Sequence, residues 1–435
     1  MNNKYISPEK NPLAFLDHLE KRGLVHDQTP EIKNYFAACM KSAEIPKIYC
    51  GFDPSAASIQ VGNLLPLLML RRAQLFGIQP IVLVGGATGL IGDPSGKKEE
   101  RNLLDQSIAH SNLEKMQKQL LHFLDHSEPS TKPILVNNYE WFQNFNFLNF
   151  LRDVGKHISI NYMIAKESVK IRMETGISYA EFGYMLVQGY DFLHLYEKLG
   201  CRVQIGGSDQ WGNMTTGMEL IRRKHQAEVH ALSAPLLLDS AGNKFGKSEK
   251  GTLFLDASLT SPFQLYQFFL QTPDADVCKI LRALTLFSDE YIDTLEEHMK
   301  REPEARIPQK ELGLELCTMA HGMNASRGVE AASRVLFSKD PKALESLDDS
   351  ALQVLSAEVP SSNFSQTIGI LDLLVQSGLC KSKGEARRHL SGGAIHINRG
   401  KITDETLQIS SETFAGKKFL LLGLGKSSLH LVLRK

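Results

Sequence analysis

KIYCGFDPSAASIQVGNLLP, residues 47–66, passes from a β-branched and aromatic run through small, turn-forming residues into an apolar helical pattern. A strand, a loop at its carboxyl end and a helix N-terminus in that order form the unit from which parallel sheets are built. The first half of the chain repeats it. PIVLV (80–84) is a buried-strand run, 103–125 has helical period, and KPILVNN (132–138) holds a short strand. A long helix is expected over 179–199, a strand at CRVQI (201–205) and a helix over 212–223. Strands alternating with helices predict an α/β fold with a Rossmann-like parallel sheet, whose ligands sit beyond the carboxyl ends of the strands. Three glycine-rich loops lie there, at 53–62, 85–98 and 206–213.

The first loop enters its helix at Gly62, where free N–H groups and the positive dipole end suit phosphate. Gln60 and Asn63 flank that glycine and present amide donors, although the same residues also read as an ordinary helix cap. The second loop, GGATGLIGDPSGKKEER (85–101), offers Asp93 to an ammonium group and carries Lys97, Lys98 and Arg101. As a lone glycine-rich loop it is a weak signal. In QIGGSDQWGN (204–213), Gly206 and Gly207 admit a ligand to the main chain and Asp209 suits ribose hydroxyls; a strand-to-helix turn capped by Asp209 fits equally. SAGNKFGKSEKGT (240–252) carries Lys244 and Lys247 between glycines, either as a solvated turn or as a mobile loop able to close over a polyphosphate.

The remaining chain is organised differently. Residues 262–335 carry helical periods and no convincing strand. Residues 336–364 turn acidic and then Pro/Ser-rich, which reads as a linker. Residues 366–435 hold eleven Lys/Arg against five Asp/Glu, a surplus of about +6 in a chain whose totals balance at 49 and 49. Segregated charge of this kind leaves a nucleic-acid partner open despite the neutral total. The six cysteines form no C-x-x-C pair, so a zinc ribbon or disulfide framework is not expected and a reducing cytoplasm is. His122, His126, His225 and His230 have no companion carboxylate or cysteine that completes a metal set. No apolar run approaches the ~18 residues of a membrane helix, and the N-terminus has no apolar leader region.

Taken together and in register, YCGFDPSA, LVGGATGLIGDPSGKK, FLRDVGKH (150–157), GYMLVQGYDFLHLY, QIGGSDQWGN and KFGKS resemble the motifs of class I aminoacyl-tRNA synthetases, most closely the bacterial-type tyrosyl branch. The resemblance spans nearly the whole chain and includes a C-terminal module similar to the S4 RNA-binding domain. It implies a Rossmann-like catalytic domain with a connective insertion and the KFGKS loop (1–255), an α-helical anticodon-binding domain (256–335), a linker (336–364) and a small α+β S4-like domain (365–435). It implies activation of L-tyrosine by ATP, with Mg²⁺, and transfer to the 3′ end of tRNA(Tyr). Residues 60–63 occupy the place of the family's HIGH signature, with Gln60 and Asn63 where histidines usually stand; in KFGKS, Phe245 replaces the Met of KMSKS.

The same resemblance assigns roles. Gln60, Asn63, Lys244 and Lys247 would hold the leaving pyrophosphate, and Lys97 and Arg101 would lie near the pyrophosphate or the tRNA acceptor end. Asp93, Tyr184 and Gln188 would hold the substrate ammonium, Gln210 would sit near the carboxylate, and Tyr49 with Asp191 would meet the phenol hydroxyl. Gly51, Asp53, Gly62, Gly207 and Asp209 would bind the nucleotide. Tyr184, Gln188 and Asp191 are spaced to share one helix face. Lys381, Lys383, Arg387, Arg388 and Arg399 form the expected phosphate-contacting set for tRNA. A homodimer is implied, with Tyr179 in GISYAEF (176–182) as the interface aromatic. Tryptophanyl-tRNA synthetase and a synthetase-derived RNA-binding or splicing factor are the rival readings.

Overall fold

Six strands form the main sheet: β1 (Asp27–Gln28), β2 (Lys47–Phe52), β3 (Gln79–Val84), β4 (Ile134–Asn137), β5 (Val203–Gly207) and β6 (His230–Ala234), in the order β1-β6-β5-β2-β3-β4. The structure is a computed structural model and describes residues 4–95, 106–173, 176–240, 242–248, 251–337, 343–344, 347–414, 418–425 and 428–434. All pairs are parallel except β1 with β6. β3 and β6 are buried at nearly every position because helices cover both faces, which is why β3 reads as a continuous apolar run. β2 is central: from it the chain builds outward through β3 and β4 on one side and later through β5 and β6 on the other. The crevice between β2 and β5 is therefore a topological switch point, where such sheets bind ligands.

β1 and β6 are elements that sequence patterning misses. The segment HALSA carries a histidine and a serine in a five-residue strand, and only its burial between β5 and β1 makes it a strand. The helix Tyr179–Leu199 falls where periodicity puts it. Ser178 caps it by accepting from the Glu181 N–H, and Gly200 ends it at φ 67°, a left-handed turn that suits glycine.

By internal contacts the chain forms two units, Met1–Ser261 with Phe268–Leu316, and Pro262–Gln267 with Cys317–Lys435. The helical stretch expected over 256–335 is helical, with Pro262–Leu270, Asp274–Leu284, Asp289–Arg301 and Ile307–Phe337, the last broken at Gly322 (φ 85°). It is not a unit by itself, because residues 268–316 join the sheet. The reason is an arginine anchor. Arg72, on the helix Leu64–Leu75 and fully buried, donates from Nη2 to the carbonyls of Arg282 (2.9 Å), Ala283 (2.9 Å) and Thr285 (2.7 Å), the last turn of Asp274–Leu284. Those carbonyls lack intrahelical donors, and a guanidinium satisfies several at once. Arg22 reinforces the join by pairing with Asp289 at 2.8 Å.

In the second unit the expected linker needs correction. Residues 336–364 contain a helix, Asp349–Glu358, capped by the Asp348 carboxylate on the Ala351 N–H (2.8 Å), and a strand, Ser361–Phe364. That strand pairs in parallel with Ser428–Arg434 and is the edge of a five-stranded sheet completed by Phe419–Leu424, Ile395–Ile397 and Gly400–Ile402. Ser and Pro set a linker-like composition, but backbone pairing needs no apolar side chain on an edge strand. The helices Ile370–Gln376 and Lys383–Ser391 pack on this sheet through Ile370, Leu374, Leu390, Leu420 and Val432.

Candidate functional site

A cleft of about 950 Å³ opens at the carboxyl ends of β2 and β5. Its wall includes Tyr49, Gly51, Asp53, Gln60, Gly62, Asn63, Asp93, Tyr184, Gln188, Asp191, Gly207, Asp209, Gln210 and Lys244. Segments as far apart as residues 49 and 244 thus converge on one space. Lys97 and Arg101 lie outside the described residues, and of Lys247 the backbone alone is described, in the strand Lys247–Ser248.

At the buried end, the Tyr49 hydroxyl finds no hydrogen-bond partner among the described residues, although the ring is almost wholly enclosed against Phe192. Asp191, also buried, accepts from Asn138 Nδ2 at 3.1 Å and from Trp141 Nε1 at 2.9 Å. Burial pushes its carboxyl up to about 8, the Asn138 and Trp141 bonds opposing this and the Asp53 charge adding to it. A hydroxyl with no partner among the described residues and a buried carboxyl in one cleft can together both donate to and accept from a small polar group.

Next along the cleft, the Tyr184 hydroxyl donates to Asp53 Oδ2 (2.7 Å) and Thr88 Oγ1 donates to Asp53 Oδ1 (2.6 Å). The Tyr184 oxygen therefore keeps its lone pairs as acceptors at the cleft wall. Gly85 makes this arrangement possible: a Cβ there would lie 1.9 Å from Asp53 Oδ1. Asp93 accepts from Gln210 Nε2 (2.6 Å) and from the Ser95 N–H (2.9 Å). Gln210 thus engages Asp93, and not only the space where a substrate carboxylate is expected. Asn213 bridges the set, donating to Gln188 Oε1 at 2.9 Å and Gln210 Oε1 at 3.2 Å.

At the exposed end, Asn63 Oδ1 accepts from the Gln60 N–H at 3.4 Å, a weak helix-start cap. The cap reading and the donor reading of these amides coexist, since Asn63 uses its oxygen here and keeps its N–H₂. The KFGKS segment lies directly on this turn. Gly246, at φ 94°, has little room for a side chain, because a Cβ would come within 3.1 Å of Val61 Cβ. Val61 donates its N–H to the Leu253 carbonyl and Leu255 donates to Ile59. Phe245 packs on Phe268 and Phe269, and Lys244 is exposed beside the cleft. The Asp209 carboxyl is raised by burial, with Lys244 pulling it back.

Four residues of this site are not singled out by the sequence: Thr88, Asn138, Trp141 and Asn213. Thr88 and Asn213 lie within the motif loops 85–101 and 204–213, and Asn138 directly follows β4, so the rule that ligands gather at strand carboxyl ends points to all three; Trp141 has no such signal. In the second unit, Lys381, Lys383, Arg387 and Arg388 cluster on or beside the helix Lys383–Ser391 and are exposed, with Lys383 paired to Asp372 and Arg387 to Glu405. Arg399 does not belong with them. It sits in the Asn398–Arg399 turn at φ 69° and its guanidinium donates to the Val335 carbonyl, a structural contact. Among the described residues no cluster of three His, Cys, Asp or Glu suits a metal ion, and no helix is long and apolar enough to cross a membrane.

A family model described as tRNA synthetases class I (W and Y) matches residues 41–338, and one described as the tyrosine–tRNA ligase SYY-like C-terminal domain matches 351–432. The chain is 43% identical over 427 residues to the tyrosine–tRNA ligase of Cytophaga hutchinsonii, covering 96% of this chain and 99% of that one. It is 43% identical over 426 residues to tyrosine–tRNA ligase 1 of Bacillus subtilis, covering 97% and 99%. Among solved structures, a C-terminally truncated mitochondrial tyrosyl-tRNA synthetase of Aspergillus nidulans superposes with a TM-score of 0.66 at 31% identity, over 74% of this chain and 94% of that one. A tryptophanyl-tRNA synthetase of Encephalitozoon cuniculi shares the fold at 14% identity and a TM-score of 0.52, over 80% and 96%.

Proposed function

The chain belongs to the tyrosine–tRNA ligases, class I synthetases that activate L-tyrosine with ATP and transfer it to the 3′ end of tRNA(Tyr), and from that premise we propose how its residues divide the work. Tyr49 and Asp191 read the phenol hydroxyl. Asp93, Tyr184 and Gln188 hold the ammonium, with Asn213 and Asp53 orienting them. Gly51, Gly207 and Asp209 receive the nucleotide, and Gln60, Asn63, Lys244 and Lys247, with Lys97 and Arg101, meet the phosphates. The observation that carries this reading is the unpartnered, enclosed hydroxyl of Tyr49 in the same cleft as the buried Asp191. An indole offers no hydroxyl for this pair, which favours tyrosine over tryptophan.

The substrate carboxylate is ionised at neutral pH, so it attacks the α-phosphorus in line without a general base. A carboxylate O–P bond forms, the bond to the β-phosphate oxygen breaks, and pyrophosphate leaves carrying the charge. The protein contributes positioning and neutralisation. Amide N–H₂ groups at 60 and 63 and ammonium groups at 244 and 247 would bond oxygens whose charge grows as the bond breaks. Mg²⁺ would enter as part of the ATP substrate and supply further charge neutralisation. In the second step a terminal ribose hydroxyl of tRNA attacks the acyl carbon and AMP departs.

Between residues 147 and 179, Phe147, Leu148, Leu151, Ile160, Ile171, Met173 and Tyr179 are exposed, Leu148 by 71% and Tyr179 by 70%. So many exposed apolar side chains within one stretch of the chain favour a second copy of the chain, and the basic helix Lys383–Ser391 favours tRNA phosphate. The site of action is the cytoplasm, where ribosomes use the product. The experiment is tyrosine-dependent pyrophosphate exchange without tRNA. Gln60→Ala should lower kcat on the order of 10²-fold and leave KM for tyrosine unchanged. An unchanged kcat removes Gln60 from the phosphate set.

A further inference from the structure

The helix Gln106–His122 buries Ala109, Leu113, Met116 and Leu120 along one face. Beside that stripe it carries two amides seven residues apart, Asn112 and Gln119, about 10 Å along the axis. Both reach the loop that leads into the HIGH-like turn. Asn112 Nδ2 donates to the Pro54 carbonyl at 3.3 Å, and Gln119 Oε1 accepts from the Ile59 N–H at 2.9 Å. The chemistry of each bond is dictated by its partner: Pro54 offers a carbonyl and no N–H, whereas at Ile59 the N–H needs an acceptor. The two ends of the stretch 54–59 are thus held by side chains of opposite polarity.

The held ends matter because of what adjoins them. Asp53, next to Pro54, orients the Tyr184 hydroxyl. Gln60 follows Ile59 directly. The stretch is also held through the Leu255 N–H on the Ile59 carbonyl and the Asp256 N–H on Ser58 Oγ (3.0 Å), and Gly89 lies against Pro54. The helix supplies a side-chain bond at each end of the stretch, and it also follows in sequence the segment bearing Lys97 and Arg101.

We propose that Asn112 and Gln119 are positioning residues for the activation step, a two-point clamp that fixes the 54–59 loop and thereby aims Gln60 at the leaving phosphates. The proposal rests on the assignment of Gln60 above. A clamp of this kind changes the height of the barrier and not the affinity for tyrosine, because a small misplacement of a transition-state donor is felt mainly in kcat.

The test uses the full-length chain and tyrosine-dependent pyrophosphate exchange. Gln119→Met removes the acceptor and Asn112→Asp removes the donor; each should lower kcat about tenfold or more, with KM for tyrosine held within about twofold and the melting temperature recorded alongside. Gln119→Glu keeps an acceptor and should retain kcat within about twofold, so polarity decides the outcome and size does not. Gln119 is only half-buried, and Gln119→Ala reads the same loss if the Met variant melts early. Combined with Gln60→Ala, Gln119→Met should add less than about twofold, since it acts through Gln60. The clamp is overturned if Gln119→Met keeps kcat, if Gln119→Glu is as damaging as Gln119→Met, or if the double variant loses the full product of the single effects. A neutral Gln60→Ala would instead sink the Gln60 assignment, while the Glu-against-Met comparison at 119 still decides whether the loop is held.

Discussion

Replacing Tyr49 by Phe separates recognition from stability in opposite directions. The hydroxyl removed is enclosed and makes no hydrogen bond among the described residues. In the free enzyme its loss therefore deletes a polar group that gains nothing from the fold, and the variant should be at least as stable as wild type, by up to about 1 kcal/mol. With tyrosine bound the same hydroxyl reaches the substrate phenol, so its loss should cost about 0.5–1.5 kcal/mol for a neutral bond, or about two- to thirteenfold in kcat/KM. Phenylalanine never makes that bond, so its kcat/KM should not fall. The Tyr/Phe preference should consequently shrink by the same factor. Asp191 survives the change, held by Asn138 and Trp141, and it should keep most of the discrimination. Tyrosyl-tRNA synthetases as a class reject phenylalanine by about 10⁵, a scale that belongs to the enzyme type and does not come from these distances. The assay is pyrophosphate exchange with both amino acids, beside urea unfolding of both enzymes. An unmoved preference, or a variant that melts earlier than wild type, refutes the claim that an unpartnered hydroxyl at 49 waits for the substrate.

Three further outcomes are expected. Burial holds the Asp191 carboxyl at about 8, so the native state keeps a proton that the unfolded chain releases near about 3.9; this contribution to stability is fully present at low pH and is lost as pH rises through about 8. Tyrosine takes the ionised form, so its Kd should tighten between about pH 6 and 8 by less than tenfold per unit, and a flat profile in fluorescence titration would refute this, as would an Asp191→Asn variant that keeps the slope. Arg172 and Glu181 form a buried pair at 2.8 Å ahead of and within the first turn of Tyr179–Leu199; Glu181→Gln, which removes the counter-charge from a buried guanidinium that keeps its bond to the Gly176 carbonyl, should cost up to about 3 kcal/mol in urea unfolding, and a cost under about 1 kcal/mol would mean the pair is solvated. A chain ending at Leu347 should keep tyrosine-dependent exchange and lose tRNA charging, and its residual tRNA affinity should depend less on salt, because the lost phosphate contacts are those that release counterions; normal charging would remove the C-terminal module from tRNA binding.

What the sequence made legible followed the strength of its periodic signals. β3 is enriched in β-branched residues and β2 carries Ile48, Tyr49 and Phe52, both are largely buried, and the helix Tyr179–Leu199 has a serine cap and a glycine stop, so their place was readable. HALSA was not, because its strand character comes from neighbours that are distant in sequence. The helix Asp349–Glu358 and the strand Ser361–Phe364 were hidden by the composition of a linker, although the Ala351–Leu355 spacing and the Asp348 cap were available. The site divides along the same line. Charged residues on motif loops could be named one by one, while Thr88 and Asn213 on those same loops, with Asn138 and Trp141 beyond them, are polar residues whose meaning appears only when the sheet brings them to a carboxylate or an amide.

That division has a physical cause, and it explains how this chain can carry amides at 60 and 63. A motif residue is recognised by type, yet its function depends on where its donor points, and direction is supplied by residues on other segments that the fold brings to it. Tyr184 can offer its oxygen as an acceptor because its O–H donates to Asp53, Asp53 is in reach because Gly85 leaves room, and Gln188 and Gln210 are aimed by Asn213. Gln60 obeys the same rule. An amide N–H₂ has a reach similar to that of an imidazole N–H but more rotatable bonds to order, so exchanging one for the other shifts the burden onto whatever fixes the backbone beneath it. Here the Ile59 N–H sits on Gln119 and the Gly246 approach closes the other side. A well-held backbone lets the donor's chemical identity vary. Conversely, Gln60→His should be active in this scaffold, and an inactive Gln60→His enzyme with intact tyrosine binding would mean that the site is built around the amide itself.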